Sequence, residues 1–139
     1  MESRFTNRYR SFCNSLAGLC EARHRDMEDA FVMSGTVQKF NLTFDISWKV
    51  MKDIVVKYHK KSDFAVGSPR EVLRAAHSVN LIDNDIWMHM LEDRNELAHD
   101  YDGTLAEECA EKIVNQYIPI FEEFREKARG YIEELQSKG

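Results

Sequence analysis

The sequence predicts an all-α fold of five helices, and three observations lead there. Apolar residues recur at intervals of three and four along nearly every long stretch. Only 2 prolines and 6 glycines interrupt the chain of 139 residues, too few for the many turns of an all-β fold. No segment alternates apolar and polar residues as a half-buried strand does. A chain of this length is expected to form a single domain over residues 1–139. With 43% hydrophobic and 11% aromatic residues it has enough apolar surface for a packed core.

Phe5, Tyr9, Phe12, Leu16 and Leu19 form one stripe on a first helix that should end near Met27. After an expected break at Ser34–Gly35, Val37, Phe40, Phe44, Trp48, Met51 and Val55 mark a second helix. Leu42, Ile46, Val50 and Ile54, spaced by four, lie well round the same helix. A helix apolar on more than one side must be covered from more than one side, once by its own core and once by a partner subunit. Gly67 precedes a third helix, with Ser68 as N-cap, Pro69 at the first helical position and Glu71 completing a capping box; it should end near Asn80. Asp83 or Asn84 should cap a fourth helix running from Ile86 to about Tyr101. Gly103 then breaks the chain, and Thr104 with Glu107 reads as a second capping box. Leu105, Ile113, Tyr117, Ile120, Phe121 and Phe124 carry the fifth helix, with a bend expected at Pro119. Trp48 and Trp87 fall on apolar faces and read as core.

The charges narrow the function. Nineteen basic against 24 acidic residues leave a net charge of −5, unlike a general nucleic-acid coat protein, whose affinity comes from counterion release by a basic face. The charges are also polarised. Lys49, Lys52, Lys57, Lys60, Lys61, Arg70 and Arg74 face only three acids over residues 49–74, whereas Arg94 and Lys112 face twelve over 83–123. Such polarity suits docking between complementary surfaces, or merely solvated helix faces. No apolar run reaches the roughly 18 residues of a membrane span, and M-E-S-R-F-T-N-R lacks a secretory apolar segment, so the expected location is cytoplasmic. Cys13, Cys20 and Cys109, an odd set with no C-x2-C, read as reduced thiols. His24, His59, His77, His89 and His99 show no metal-ligand spacing, and no Gly-rich phosphate loop is present; neither metal nor cofactor is expected.

The stretch D-R-N-E-L-A-H-D-Y-D at 93–102 carries the chemistry. If the helix continues, Arg94 falls within about 20° of Tyr101 two turns later, both on the stripe of Trp87, Met90, Leu91 and Ala98. An arginine on a buried face must be paired or reach solvent, because its charge cannot be lost. Asn95 and His99 share the neighbouring face, with His99 roughly 140° from Arg94. Two meanings stay open at this point. Arg94 pairs with an acid while His99 caps a helix end, or the two converge on a ligand, through a frayed helix end or between two copies of the helix.

R-N-E-L-A-H-D-Y at 94–101 matches the R-x4-H-x-Y motif of the HEPN superfamily of all-helical nucleotide- and RNA-associated domains. F-N-L-T-F-D-I-S-W-K-V-M-K-D at 40–53, S-P-R-E-V-L-R-A-A at 68–76 and N-L-I-D-N-D-I-W-M-H-M-L-E-D-R-N at 80–95 extend the likeness over roughly residues 4 to 125. They resemble the nucleotidyltransferase substrate-binding branch. That resemblance implies a five-helix up-and-down bundle that homodimerises and works with a separate minimal nucleotidyltransferase, often two-to-two. Some relatives are metal-independent endoribonuclease toxins with an active site between two motif helices, and their nucleotidyltransferase acts as antitoxin by modifying the motif tyrosine, here Tyr101. Others are substrate-binding subunits.

For an endoribonuclease, the reading favoured from sequence, His99 is the general acid or base, since imidazole titrates near neutrality. Arg94 would grip the phosphate and stabilise the transition state, with Asn95 orienting His99 or donating to a phosphate oxygen. The alternative is a non-catalytic nucleotide- or substrate-binding subunit of a two-component nucleotidyltransferase, in which the same residues grip a phosphate. Arg70 and Arg74, four apart on the third helix, are further candidates for contacting RNA or nucleotide, or else pair locally with the capping glutamate.

Overall fold

The computed structural model describes residues 3–59 and 67–138 and is helical, with no strand among the described residues. Its described residues form five helices. Helix α1 spans Arg4–Cys20 and closes in a 3₁₀ turn at Glu21–His24, α2 spans Ala30–Lys57, α3 Pro69–Ser78 and α4 Ile86–Leu97. Helix α5 begins as Thr104–Lys112, widens into a π-helical turn at Ile113–Tyr117 and runs on as Ile118–Lys138. Lys60 and Lys61 lie outside the described residues.

Cross-helix contacts define the topology. Arg8 at the start of α1 meets Asp53 near the end of α2, and Ser15 meets Thr43, so these helices run antiparallel. Helix α5 runs parallel to α2, with Phe40 beside Tyr117 and Tyr58 beside Tyr131. It runs antiparallel to α4, where Asp93 meets Lys112 and Trp87 meets Phe124. The apolar stripes converge in a chain of rings. Phe12 of α1 sits 5.5 Å from Phe124, Phe40 of α2 stacks on Tyr117 at 5.3 Å, and Trp87 of α4 packs edge-on against Phe121 at 5.5 Å. All of these side chains are buried. Offset and edge-on contacts of this kind add about 0.5–1.5 kcal/mol each beyond area burial.

Several ends differ from the periodicity. Helix α1 stops at Cys20, not near Met27, and α2 starts at Ala30, ahead of Ser34–Gly35. The reason is Asp29, whose carboxylate accepts the amides of Phe31 at 2.8 Å and Val32 at 3.3 Å. Such a cap offsets the cost of about 1 kcal/mol for a glycine one turn in. Helix α3 begins as expected, with Ser68 Oγ accepting the Glu71 amide. It closes on Asn80 at φ 61°, where the Leu81 amide bonds back to the Ala76 carbonyl.

Helix α4 ends at Leu97, a turn before Tyr101. The next helix is not capped by Thr104. Gly103, at φ 78°, occupies the cap position, and the carboxylates of Asp100 and Asp102 accept the first amides. Just before Pro119, which has no N–H to donate, the helix widens into the π turn and then continues. On α2, Val50 and Ile54 are buried within the bundle while Leu42 is exposed, so the second apolar side is covered only in part. Trp87 is core, whereas Trp48 is half-buried.

Candidate functional site

Two adjacent residues of α4 fix its C-terminal end against two different helices. Asp93, buried, accepts the Tyr117 hydroxyl, and also Lys112 Nζ at 3.0 Å, both from α5. Burial, reinforced by this bond to Asp93, holds the Tyr117 phenol well above its ordinary pKa. Arg94 turns to α2, where its Nη2 lies 2.6 Å from Asp45 Oδ1; the two side chains remain 32% and 34% exposed. Its Nη1 donates to Asn95 Oδ1 at 3.2 Å. The guanidinium is therefore bonded to one acceptor, Asn95, and ion-paired with Asp45, while water still reaches it.

Beyond Leu97 the chain leaves the helix, and this changes where the other motif residues stand. The His99 amide donates to the Glu96 carbonyl at 3.0 Å, and the Tyr101 amide to the His99 carbonyl at 3.1 Å. The His99 side chain is exposed and meets no partner among the described residues. Tyr101 does not share the buried stripe of Arg94, because helical phase ends four residues before it; its side chain is 93% exposed. Asp100, between them, has both carboxylate oxygens committed to α5, accepting the Leu105 amide at 3.1 Å and the Ala106 amide at 2.8 Å. The acid of H-D-Y thus anchors the turn that presents His99 and Tyr101. Asp102 repeats the role at Thr104, and those bonds draw its pKa down.

Tyr101 stands over a groove of about 500 Å³ between the start of α2 and the turn 97–107, with Gln38, Asn41 and Leu97 among its walls. Asn41 Oδ1 is buried there without a partner. Asn41 and Asp45 are four apart on α2, so the groove and the Arg94 ion pair lie one turn apart along one helix face. Within the chain Arg94 and Asn95 are together, while His99 and Tyr101 form a second, exposed pair a turn beyond. Neither Arg94 nor His99 lines the groove.

Arg70 and Arg74 are exposed on α3, away from this end of α4, and neither pairs with Glu71 among the described residues. The basic stretch divides. Lys49, Lys52 and Lys57 face the start of α1, where Arg4 and Arg8 add to them, apart from the two arginines of α3. The residues that sequence alone did not single out are Asp45, Asn41 and Asp100. Asn41 and Asp45 had at most a weak signal, two polar residues four apart on one face of the second helix. Asp100 had none beyond its place inside the motif.

The described residues hold no cluster of three or more metal-ligating side chains, and none of their helices is long and apolar enough to cross a membrane. Residues 4–129 match the family model described as nucleotidyltransferase substrate binding protein like. No curated protein matches the chain.

Proposed function

Because the chain belongs to the nucleotidyltransferase substrate binding protein-like family over residues 4–129, we propose that it is the helical partner of a separate nucleotidyltransferase. It holds a phosphate-bearing substrate at the C-terminal end of α4. The observation that carries this is the Arg94 guanidinium, about a third exposed, ion-paired with Asp45 and donating one hydrogen bond to Asn95, with further donors left over. A planar fork held in that way is preorganised for a phosphate. His99, exposed a turn later, supplies a hydrogen bond to the same ligand, and a homodimer of HEPN type sets a second copy of the pair opposite the first. Arg70 and Arg74 would extend the contact to the rest of the nucleotide.

A second reading is favoured by the imidazole itself, exposed and without a partner among the described residues, so that both ring nitrogens are open to a substrate. On this reading the homodimer is a metal-independent endoribonuclease. One His99 takes the proton from the RNA 2′-hydroxyl, the other returns one to the leaving 5′-oxygen, and Arg94 stabilises the charge on phosphorus. The nearly fully exposed Tyr101 phenol is then accessible to adenylyl transfer by the partner, which would place bulk and negative charge where RNA must sit.

One experiment separates them. The purified protein, its His99→Ala and its Arg94→Ala variants are incubated with RNA in chelator, and each is tested for complex formation with the nucleotidyltransferase encoded beside it. The binding reading expects no RNA cleavage, an intact complex for all three, and lost substrate transfer for Arg94→Ala. Cleavage that disappears in His99→Ala establishes the nuclease instead. Full substrate transfer by Arg94→Ala with no cleavage overturns both.

A further inference from the structure

Along α2, residues 45, 49, 52 and 56 are spaced by four, three and four and share one helix face. Asp45 of that face pairs with Arg94 at 2.6 Å. The other three, Lys49, Lys52 and Val56, line a groove of about 430 Å³ between the second half of α2 and the start of α1. The groove therefore begins one turn, roughly 6 Å, from the partner of the motif arginine, and follows α2 for roughly 10 Å more.

Its charge runs against that of the whole chain. Arg4 and Arg8 of α1 and Lys49, Lys52 and Lys57 of α2 line it, in a protein whose net charge is −5. Asp53 is the single acid of the lining; it is 5% exposed and accepts Arg8 Nη1 at 2.7 Å, so its charge is committed to that arginine. Arg4, Lys49, Lys52 and Lys57 meet no carboxylate among the described residues. Arg4, Lys49 and Lys57 are exposed and Lys52 is half-buried. Four cations round one concavity without counter-charge repel one another, and carboxylates brought by a partner relieve that repulsion.

The walls narrow the kind of partner. Lys57 Nζ lies 5.6 Å from the Phe5 ring centre and Lys49 Nζ 5.8 Å from that of Trp48, so the ammonium groups rest on aromatic surface. Phe5, Trp48 and Val56 are half-buried and leave apolar surface among the cations. That mixture suits a protein segment in which acids alternate with apolar side chains. It suits RNA less, because an unbroken line of phosphates also meets the net −5 of the molecule. Two antiparallel helices bound the groove, and a third helix packs into such a trough along its i, i+3, i+4 ridge.

We propose that the α1–α2 groove docks an acidic amphipathic helix of the nucleotidyltransferase, its carboxylates against Arg4, Lys49, Lys52 and Lys57 and an apolar side chain against Phe5 and Trp48. The transferase then stands beside Arg94, on the same face of α2. This rests on the reading of the chain as the helical partner of that enzyme.

The full chain and the nucleotidyltransferase encoded beside it are mixed with and without nuclease treatment, and their affinity is measured by calorimetry at about 50 and about 300 mM salt. The complex is expected to survive nuclease and to weaken at least about tenfold at the higher salt. Lys57→Glu should weaken it about tenfold, Lys52→Glu with Lys57→Glu about a hundredfold, and Lys52→Arg with Lys57→Arg less than about threefold. Lys127→Glu, the same charge change on α5 outside the groove, should also cost less than about threefold. Each variant is scored with its helical circular dichroism retained, and the salt dependence of the parent complex decides the matter otherwise. No complex under any condition overturns the partner reading and the docking together. A complex indifferent to salt and to the lysine reversals, or weakened equally by Lys127→Glu, overturns the docking alone. A complex that forms only before nuclease treatment assigns the groove to RNA and overturns it too.

Discussion

Replacing Tyr117 by phenylalanine isolates the bond that ties the motif helix to α5. Tyr117 is fully buried, and its hydroxyl donates to Asp93 Oδ2, which also receives Lys112 Nζ at 3.0 Å. Phenylalanine keeps the ring and its 5.3 Å stack on Phe40, so the substitution removes one hydroxyl and leaves the packing in place. A hydrogen bond to a charged acceptor contributes about 1.5–3 kcal/mol. With its phenol pKa raised by burial and by Asp93, Tyr117 remains a donor through mildly alkaline pH, so the loss should not depend on pH there. For a domain of this size 1 kcal/mol corresponds to about 3–5 °C, and the melting temperature should fall by roughly 5–10 °C. Lys112 is 39% exposed, so Lys112→Met should cost less, under about 1 kcal/mol. Urea and thermal denaturation followed by circular dichroism give both values. A Tyr117→Phe shift below about 2 °C, or a larger effect from Lys112→Met, would show that α4 is not held through this hydroxyl.

Asp53 predicts a pH dependence. Burial, outweighing the neighbouring cations Arg8, Arg4, Lys52 and Lys57, raises its pKa to about 6. In the unfolded chain it titrates near 3.9. Between those values the folded state holds a proton that the unfolded state has released, so stability falls as pH rises through this window and is level above it. The drop is of order 2 kcal/mol, and it should be absent in Asp53→Asn when stability is measured by urea titration from pH 4.5 to 7.5; an unchanged drop would assign it to other groups. Asp100→Ala removes the acceptor of the Leu105 and Ala106 amides. It should cost about 1–2 kcal/mol and speed hydrogen exchange at those two amides, with Asp100→Asn between it and the parent. Unaltered exchange would mean that the turn bearing His99 and Tyr101 is held by something else.

The helices were legible because their evidence is local. The stripe Phe5, Tyr9, Phe12, Leu16 and Leu19 repeats at a period that only one backbone geometry satisfies, and Phe12, Leu16 and Leu19 are indeed buried. Ser68–Pro69–Glu71 read correctly for the same reason, since a cap is satisfied within its own turn. Ends were harder where the capping group lies further off. Asp100 reaches residues 105 and 106, so the carboxylate that closes the α4–α5 turn was invisible to a search for a cap immediately before the helix. That one misplaced end moved Tyr101 from an inferred buried stripe to the surface. Periodicity counts turns, and it cannot tell where the turns stop.

The candidate site divides along the same line. The sequence alone determined an α-helical chain, a cation at 94 out of keeping with its apolar face, and an imidazole and phenol shortly after it, because residue type and spacing are properties of the chain. Which acid meets Arg94, the tie from Asp93 to Tyr117 and Lys112, and the gathering of five cations round Asp53 were settled only by the packed bundle. Those partners stand 49, 24, 19 and up to 49 residues apart along the chain. Nothing in local propensity links such positions. They meet because burying five apolar faces in one core leaves the helices a single mutual arrangement, and the polar side chains find their neighbours as a consequence of it.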